Sequence, residues 1–343
     1  MNKKIIVTGG LGYIGSHTTI ELIQNNFEVV VFDDLSNSSL KTIDRIETIT
    51  GEKIIFEKVD LKNEIRTGQE FSKHKDALAV IHFAAHKAVN ESVKNPLNYY
   101  QNNLFAILNT LKWQYELGIK NFIFSSSAAV YGSPESLPIS ENNKIQRPLS
   151  PYGNTKKISE EIIEDFTKIN SDFSAISLRY FNPIGAHDSG KIGELPKGIP
   201  NNLMPYITQT ASGVREKLKV FGNDYPTKDG TPVRDYIHVV DLAKAHIKAL
   251  IRLIENKHEK PLEIYNLGTG NGFSVLEVIK SFERISGLKL NYEIVIRREG
   301  DVPELFATTD LAFKKLGWKA ELGLDEMVKS AWKWEQNYRN HNI

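Results

Sequence analysis

The sequence predicts an α/β fold in which a doubly wound parallel sheet carries a smaller α/β lobe. Three observations predict it. Short apolar runs alternate with helical patterns through the first half, a glycine-rich turn joins the first run to the first helix, and the second half changes to Pro- and Gly-rich segments broken by helices. Alternation of the first kind makes βαβ units, whose crossovers force the strands parallel. At 343 residues, with 41% hydrophobic and 25% charged residues, the chain can bury a large core in two domains or in one domain with a lobe. The change of pattern divides it into residues 1–180 and 181–343.

The predicted strands are Ile5 to Thr8, Val29 to Phe32, Ile54 to Phe56, Val80 to Phe83, Phe122 to Ser125 and Ala175 to Leu178. In a sheet built this way, ligands bind outside the C-terminal strand ends. Beyond Arg179, the stretches Gly193 to Pro205 and Gly222 to Pro232 read as loops, with helices near Asp241 to Glu255 and Ser274 to Ser286. Loops held on a scaffold are where binding residues concentrate. The balance of 43 basic against 42 acidic residues gives no global field for nucleic acid or an anionic membrane. Cysteine is absent, which excludes disulfides and thiolate metal sites and suits a reducing compartment. No apolar run is long enough to span a bilayer, and glycines interrupt the stretch after Lys3 and Lys4, so we expect a cytoplasmic protein without a metal centre.

The turn Thr8-Gly9-Gly10-Leu11-Gly12-Tyr13-Ile14-Gly15 follows the first strand and opens a helix from about Tyr13 to Asn25. Glycines there let the chain turn tightly and bring backbone N–H groups to a pyrophosphate, which sits at the positive end of the helix dipole. This is the context of a dinucleotide-binding Rossmann unit, with residues 1–180 as its domain. Asp33 ends the second strand 18 residues after Gly15, where a carboxylate accepts from an adenosine ribose and repels a 2′-phosphate. That favours NAD over NADP. Asp34 reads equally as a second cofactor contact or as a polar strand end.

Tyr152-Gly153-Asn154-Thr155-Lys156 is the only Tyr-x-x-x-Lys among the 13 tyrosines. Ser150 can cap a helix and Pro151 suits its first position, which places Tyr152 and Lys156 one turn apart on one face. A fixed ammonium and a positively charged nicotinamide are expected to draw the phenol down from about 10 and make it a usable base. Ser125-Ser126-Ser127 follows an apolar strand, and its hydroxyls serve either a ligand at the sheet edge or an ordinary turn.

The spacing Gly9, Gly12, Gly15 with this Tyr/Lys pair resembles the extended branch of the short-chain dehydrogenase superfamily, in which the last serine of the run, here Ser127, hydrogen-bonds the reacting oxygen. Nucleotide-sugar 4,6-dehydratases of that branch carry an Asp and a Glu at the positions of Ala128 and Ala129, and the related decarboxylases keep the Glu. Alanine moves no proton, so elimination is disfavoured. Further stretches are similar to the UDP-glucose 4-epimerases: His82 to Val89, Leu178 to Pro183, Pro200 to Pro205, Phe221 to Thr227, Val233 to His238 and Arg297 to Asp301.

By that resemblance Asp60 and Leu61 lie against the adenine. Tyr13, Ile14, Asn37, Phe83, Ala84, Ala85, Lys87 and Asn102 line the cofactor, and Tyr180 lies near the nicotinamide. Residues 181–343 become the UDP-sugar domain, with Phe181, Asn182, Asn201, Asn202, Leu203, Phe221, Arg234, Tyr236, Arg298 and Asp301 around the substrate. Paired arginines suit a diphosphate, although Arg297 and Arg298 read as well as a solvated surface pair. The implied activity is a C4 epimerisation of UDP-glucose and UDP-galactose on resident NAD, with Ser127 and Tyr152 also touching substrate. The implied assembly is a homodimer through helices near Tyr99 to Gly118 and Tyr152 to Asn170.

Two departures stand out. Ala85-His86 replaces a usual Gly-Leu, leaving His86 as a partner of nearby groups or as a second acid–base. Leu305 occupies the position that gates the sugar 2-substituent, and its intermediate size keeps N-acetylated UDP-sugars open as substrates. A nucleotide-sugar dehydratase or decarboxylase and a non-catalytic NAD sensor are the other readings.

Overall fold

The computed structural model describes residues 3–298 and 301–341; Glu299 and Gly300 of the Arg297 to Asp301 stretch lie outside the described residues. The first half alternates strand and helix as the pattern requires. Its strands are β1 (Lys4–Thr8), β2 (Glu28–Asp33), β3 (Ile55–Lys58), β4 (Ala79–His82), β5 (Asn121–Ser127) and β6 (Ser174–Tyr180). Its helices are α1 (Tyr13–Gln24), α2 (Lys41–Thr50), α3 (Glu64–Lys73), α4 (Val89–Lys94), α5 (Pro96–Glu116) and α6 (Pro151–Ile169). After β6 come β7 (Asn182–Ile184), α7 (Leu203–Ala211), β8 (Leu218–Phe221), β9 (Val233–His238), α8 (Val239–Ile254), β10 (Leu262–Leu267), β11 (Gly272–Ser274), α9 (Val275–Ser286), β12 (Tyr292–Val295), β13 (Glu304–Leu305), α10 (Asp310–Leu316) and α11 (Leu324–His341).

The main sheet is wholly parallel and runs β10-β6-β5-β4-β1-β2-β3. Six of its seven strands are the predicted ones. The seventh, β10, comes from the later half and pairs with β6, Leu262 opposite Ala175 through Leu267 opposite Tyr180. Glu263 and Asn266 interrupt its apolar pattern, yet both are buried: Arg252 of α8 holds Glu263 through two nitrogens at 2.6 and 2.9 Å. A polar pair thus fills places where the sequence offers no apolar signal.

Successive strand residues point to opposite faces, and the core divides accordingly. Ile5, Val7, Val29, Val31, Ala79, Ile81 and Ile123 pack with Ile20 and Leu22 of α1 and Leu242, Leu250 and Leu253 of α8. Ile6, Val30, Phe32, Val80, Phe122 and Phe124 pack on the other face with Phe71 of α3, Ile107 and Leu111 of α5 and Ile163 of α6. Both faces are covered, as a parallel sheet requires. The lobe is built on β9, which pairs with β7 and β13 in parallel and β11 antiparallel; β8 and β12 form a separate parallel pair. Its core joins Met204 and Ile207 of α7, Val278 and Phe282 of α9, and Met327 and Val328 of α11.

Among the described residues no helix is long and apolar enough to cross a membrane.

Candidate active site

The glycine turn lies at the C-terminal end of β1, between the ends of β2 and β4. Gly9 has φ +69°, a left-handed conformation that glycine alone adopts without strain, and a Cβ there would sit 2.7 Å from the Ala84 nitrogen. A Cβ on Gly15 would collide with the Gly9 carbonyl. The two glycines let α1 start directly above β1, against the chain leaving β4. Gly12 is the α1 N-cap, with no side-chain cap and no acidic residue in the first turn. The N–H groups of that turn therefore face outward with the dipole's positive end, the arrangement that accepts a pyrophosphate. Leu11 N (3.1 Å), Leu35 N (2.9 Å) and Ser38 Oγ (2.6 Å) all donate to Asp33, at the end of β2. Burial raises its carboxyl above the usual range, opposed by these donors.

The other residues assigned to the cofactor lie around the turn, in the core, in the loop after β2 and beside β3. Tyr13, Phe83, Ala84 and Lys87 surround the turn. Phe83 N donates to Thr8 O, and Lys87 Nζ lies 5.7 Å from the Tyr13 ring centroid while pairing with Glu194 at 2.9 Å. Ile14 packs into the core and Ala85 is half-buried. Asp34, open between two readings, accepts from Ser36 N (2.8 Å) and Ser36 Oγ (2.6 Å), an Asx turn of its own loop, beside exposed Asn37. On the β3 side Asp60 is exposed and pairs with Lys62, Leu61 is buried, and Asn102 accepts from Lys62 Nζ at 3.3 Å.

The residues assigned acid–base work come from β5 and α6. Ser150 Oγ accepts from Gly153 N at 3.1 Å and Pro151 opens the helix, so α6 begins where the sequence places it. Ser127 ends β5 and caps a 3₁₀ turn over Ala128–Tyr131, its Oγ accepting from Ala129 N at 3.2 Å, and its side chain favours the ionised form of the Tyr152 phenol. The helix meets that turn closely because position 153 is glycine: a Cβ there would stand 2.7 Å from the Ala129 carbonyl. Tyr180 of β6 lies opposite Ser127 in register, and its phenol shares a 2.5 Å hydrogen bond with Ser125 Oγ.

Within the protein, burial dominates the electrostatics of Tyr152 and Lys156. Lys156 Nζ donates to the Ser125 carbonyl at 2.6 Å and lies 4.8 Å from the Phe124 ring centroid. Burial draws this ammonium down to about 7, opposed by the Glu160 carboxylate. Burial pushes the Tyr152 phenol up from its ordinary value, and the hydrogen bond from Ser127 is what opposes the rise. Lys156 is thus spent on the end of β5, and within the protein desolvation sets the direction of the phenol.

Of the residues assigned to UDP, Asn182, Arg234, Tyr236, Asp301 and Leu305 lie on or against β9, Phe221 and Arg298 at β8, and Asn201 to Leu203 at the start of α7. Asn182 stands opposite Tyr236, and Leu305 opposite Arg234. Arg298 lies over the Phe221 ring at 4.6 Å, whereas Arg297 binds Asp224 (2.7 Å) and stacks on Tyr225, so the adjacent arginines have separate partners. Arg234 and Asp301 pair with each other at 2.6 Å. Phe181 is buried with Ala128, Tyr131 and Ala307, and Leu305 packs against this group, next to the turn that follows Ser127. Asn202 Nδ2 donates to Glu194 Oε1 at 2.6 Å at the start of α7, where Leu203 joins the lobe core and Asn201 is exposed. His86 donates its backbone N–H to Asn103 Oδ1 (2.8 Å) and places its ring 5.4 Å from that of Tyr99. Among the described residues no group of His, Asp and Glu is arranged to hold a metal ion.

Sequence reasoning passed over Glu160, Tyr131 and Glu194 and gave Arg179 no role. Glu160 Oε1 accepts from Ser126 Oγ (2.6 Å) and Ser177 Oγ (2.7 Å), and Arg179 binds both its oxygens while donating to Tyr131 Oη at 2.9 Å. The one signal was spacing: Glu160 is one turn beyond Lys156 on the same face.

The sequence family described as GDP-mannose 4,6 dehydratase matches residues 6–331. The UDP-glucose 4-epimerase of Bos taurus is 49% identical over 342 residues, 98% of this chain and 97% of that one. The UDP-glucose 4-epimerase of Bacillus subtilis (strain 168) is 49% identical over 336 residues, 98% of each. Among solved structures, that of UDP-glucose 4-epimerase from Bifidobacterium longum in complex with NAD+ and UDP superposes with a TM-score of 0.94 at 44% identity, over 98% of this chain and 99% of the other. With relatives near half identical from end to end and the same sheet, turn and lobe, the chain belongs to the UDP-glucose 4-epimerases of the extended short-chain dehydrogenase superfamily.

Proposed function

We propose that this protein interconverts UDP-glucose and UDP-galactose at sugar C4 on tightly held NAD, with Tyr152 as the acid–base. The observation that carries this reading is the meeting of Ser127, at the end of β5, and Tyr152, in the first turn of α6, at the sheet's C-terminal edge, with Ser127 directly followed by Ala128 and Ala129. The pair can take and return one proton at one oxygen, and the alanines offer no second group to expel water. NAD, when bound, supplies a hydride acceptor and donor at C4 and a positive charge near the phenol, so that the sugar passes through a 4-keto form without net redox change.

The residues present fit that cofactor: a glycine cradle without room for side chains, an uncapped helix N-terminus, and Asp33 at the β2 end. Tyr152 takes the proton of the sugar 4-hydroxyl and gives it back to the same oxygen. Ser127 donates to that oxygen and steadies it. Lys156 holds the end of β5 and supplies a buried positive charge behind the phenol. Arg234, Arg298 and Asp301 anchor UDP, and the Arg234–Asp301 pair opens to do so, the arginine turning to phosphate and the carboxylate to ribose hydroxyls. An anchored UDP lets the sugar turn its other face to the cofactor within one site. The protein works as a homodimer in the cytoplasm.

Purified protein incubated with UDP-galactose and no added NAD should yield UDP-glucose; a stable 4-keto-6-deoxy or pentose product would remove the reading. Leu305 supports a second, broader specificity. It packs beside Phe181 against the turn that follows Ser127, and a leucine is smaller than an aromatic side chain would be at that position. Comparing UDP-N-acetylglucosamine with UDP-glucose as substrates decides this.

A further inference from the structure

The chain leaving β7 crosses the open edge of the main sheet before it reaches α7, and it is fastened to each strand end it passes. Neighbouring strands β4, β1 and β2 present their C-terminal ends side by side. Gly185 O accepts from Tyr13 Oη at 2.7 Å, in the turn after β1. Glu194 pairs with Lys87 at 2.9 Å, in the segment after β4. Lys197 Nζ donates to Leu35 O (2.9 Å) and Ser36 O (2.8 Å), in the loop after β2. The segment Gly185–Lys197 is therefore tied to the same three loops that frame the glycine turn and Asp33.

It is also braced from outside by α11. Trp334 Nε1 donates to Glu194 O (3.1 Å), Asn337 Nδ2 to Gly190 O (3.0 Å) and Lys333 Nζ to Asp188 O. The helix in turn is held to α2, where the buried Arg45 guanidinium lies 5.2 Å from the Trp334 ring centroid and 5.9 Å from that of Tyr338. Both ends of the crossing are thus anchored to the cofactor-side domain, and its middle is backed by a packed helix.

The coverage is one-sided. Its fastenings lie on the β4-β1-β2 half, whereas Ser127 and Tyr152 belong to β5 and α6. An enzyme whose cofactor is regenerated within each turnover has no need to exchange it, but must exchange its sugar nucleotide every cycle. A strap over one half of the mouth meets both needs.

We propose that Gly185–Lys197 is a retaining strap over the dinucleotide, so that NAD enters or leaves only when Lys197 and Glu194 let go of the loops after β2 and β4. The proposal rests on the glycine turn being the NAD site. Lys197 is its accessible latch: the side chain is exposed, and two backbone carbonyls are its partners.

The chain has no cysteine, so a pair introduced as Ser36→Cys and Lys197→Cys can be joined selectively by a short bismaleimide. The holoprotein is first assayed for NAD content, then mixed with excess isotopically labelled NAD, and exchange is followed by mass spectrometry. Crosslinking should slow exchange about ten-fold or more relative to the same variant unlinked, because release requires local opening. Lys197→Ala should speed exchange about five-fold through loss of two charge-assisted hydrogen bonds. Turnover of UDP-galactose in saturating NAD should stay within about two-fold of the parent, since hydrogen bonds to a peripheral loop do not touch the reacting atoms. Exchange unaffected by the crosslink, with NAD content unchanged, overturns the strap whatever Lys197→Ala does. Failure of the parent protein to hold or take up NAD would instead overturn the assignment of the glycine turn.

Discussion

Tyr152 sits where burial alone makes it a poor base, and the groups around it decide how far that is reversed. Its phenol is pushed up by desolvation and opposed by Ser127, while Lys156 is itself drawn down to about 7. Tyr152→Phe should cut turnover by about 100-fold or more, the range of a positioned acid–base, yet leave bound NAD in place; near-normal turnover would remove Tyr152 from the role. Lys156 bears on stability through a definite sign. A lysine whose folded pKa is depressed from 10.5 to about 7 binds its proton more weakly folded than unfolded, so stability rises as pH climbs from about 7 towards 10.5 and is lost as it falls back through 7. Lys156→Met removes this dependence. Its melting temperature should rise less between pH 7 and pH 10 than the parent's, and parallel curves would refute the burial argument. The spacing Tyr152 to Lys156 was readable from sequence because one helical turn sets it. The direction of the phenol's shift was not, because it depends on how much water the tertiary packing removes. The Arg234–Asp301 pair was equally hidden, since the two residues are far apart in the chain and meet only where β9 takes up β13.

At the scale of elements, the end of β5 that carries Ser127 is held by a polar network. Glu160 on α6 gathers Ser126 of β5 with Ser177 and Arg179 of β6, and Arg179 passes the network to Tyr131, whose hydroxyl donates to Asn266 of β10 at 2.7 Å. One buried carboxylate therefore fixes three strands and the helix that bears Tyr152. Removing its charge orphans a buried guanidinium, so Glu160→Gln should cost about 3–5 kcal/mol by urea unfolding. Glu160→Gln combined with Arg179→Met should cost less than the sum of the two single changes; additive losses would mean that the pair does not act as a unit. The same polar character explains what the sequence concealed. Six strands announced themselves as apolar runs, and the start of α6 did so through Ser150 and Pro151. The strand β10 did not, because Glu263 and Asn266 lie in its register and are neutralised by partners elsewhere in the chain: Arg252, and Tyr131 with Ile139. Hydrophobic periodicity finds strands that bury carbon and misses those that bury satisfied polar groups.

At the scale of the whole molecule, one surface is at odds with a lone chain. Helices α5 and α6 pack side by side, and the outward face of α5 carries Leu97, Phe105, Leu108 and Tyr115 at 83%, 47%, 45% and 37% exposure, with Ile169 of α6 at 81%. Their positions advance by seven or eight residues and by three or four, which keeps them on one helical stripe. A contiguous apolar stripe on a helix pair is covered most simply by its own copy about a two-fold axis, which turns two helix pairs into a four-helix bundle. Charge placed in the centre of such a bundle is desolvated against its symmetry mate, so each substitution acts twice. Phe105→Glu with Leu108→Glu should therefore convert a dimer into a monomer at micromolar concentration, read by sedimentation velocity, while far-UV circular dichroism stays unchanged because both side chains point away from the chain's own core. Since α6 also bears Tyr152 and Lys156 in its first turns, the monomer should lose turnover and melt at lower temperature while the inner face of α5 still holds the helix in place. A parent protein that sediments as a single chain would show that another partner, or none, covers this stripe.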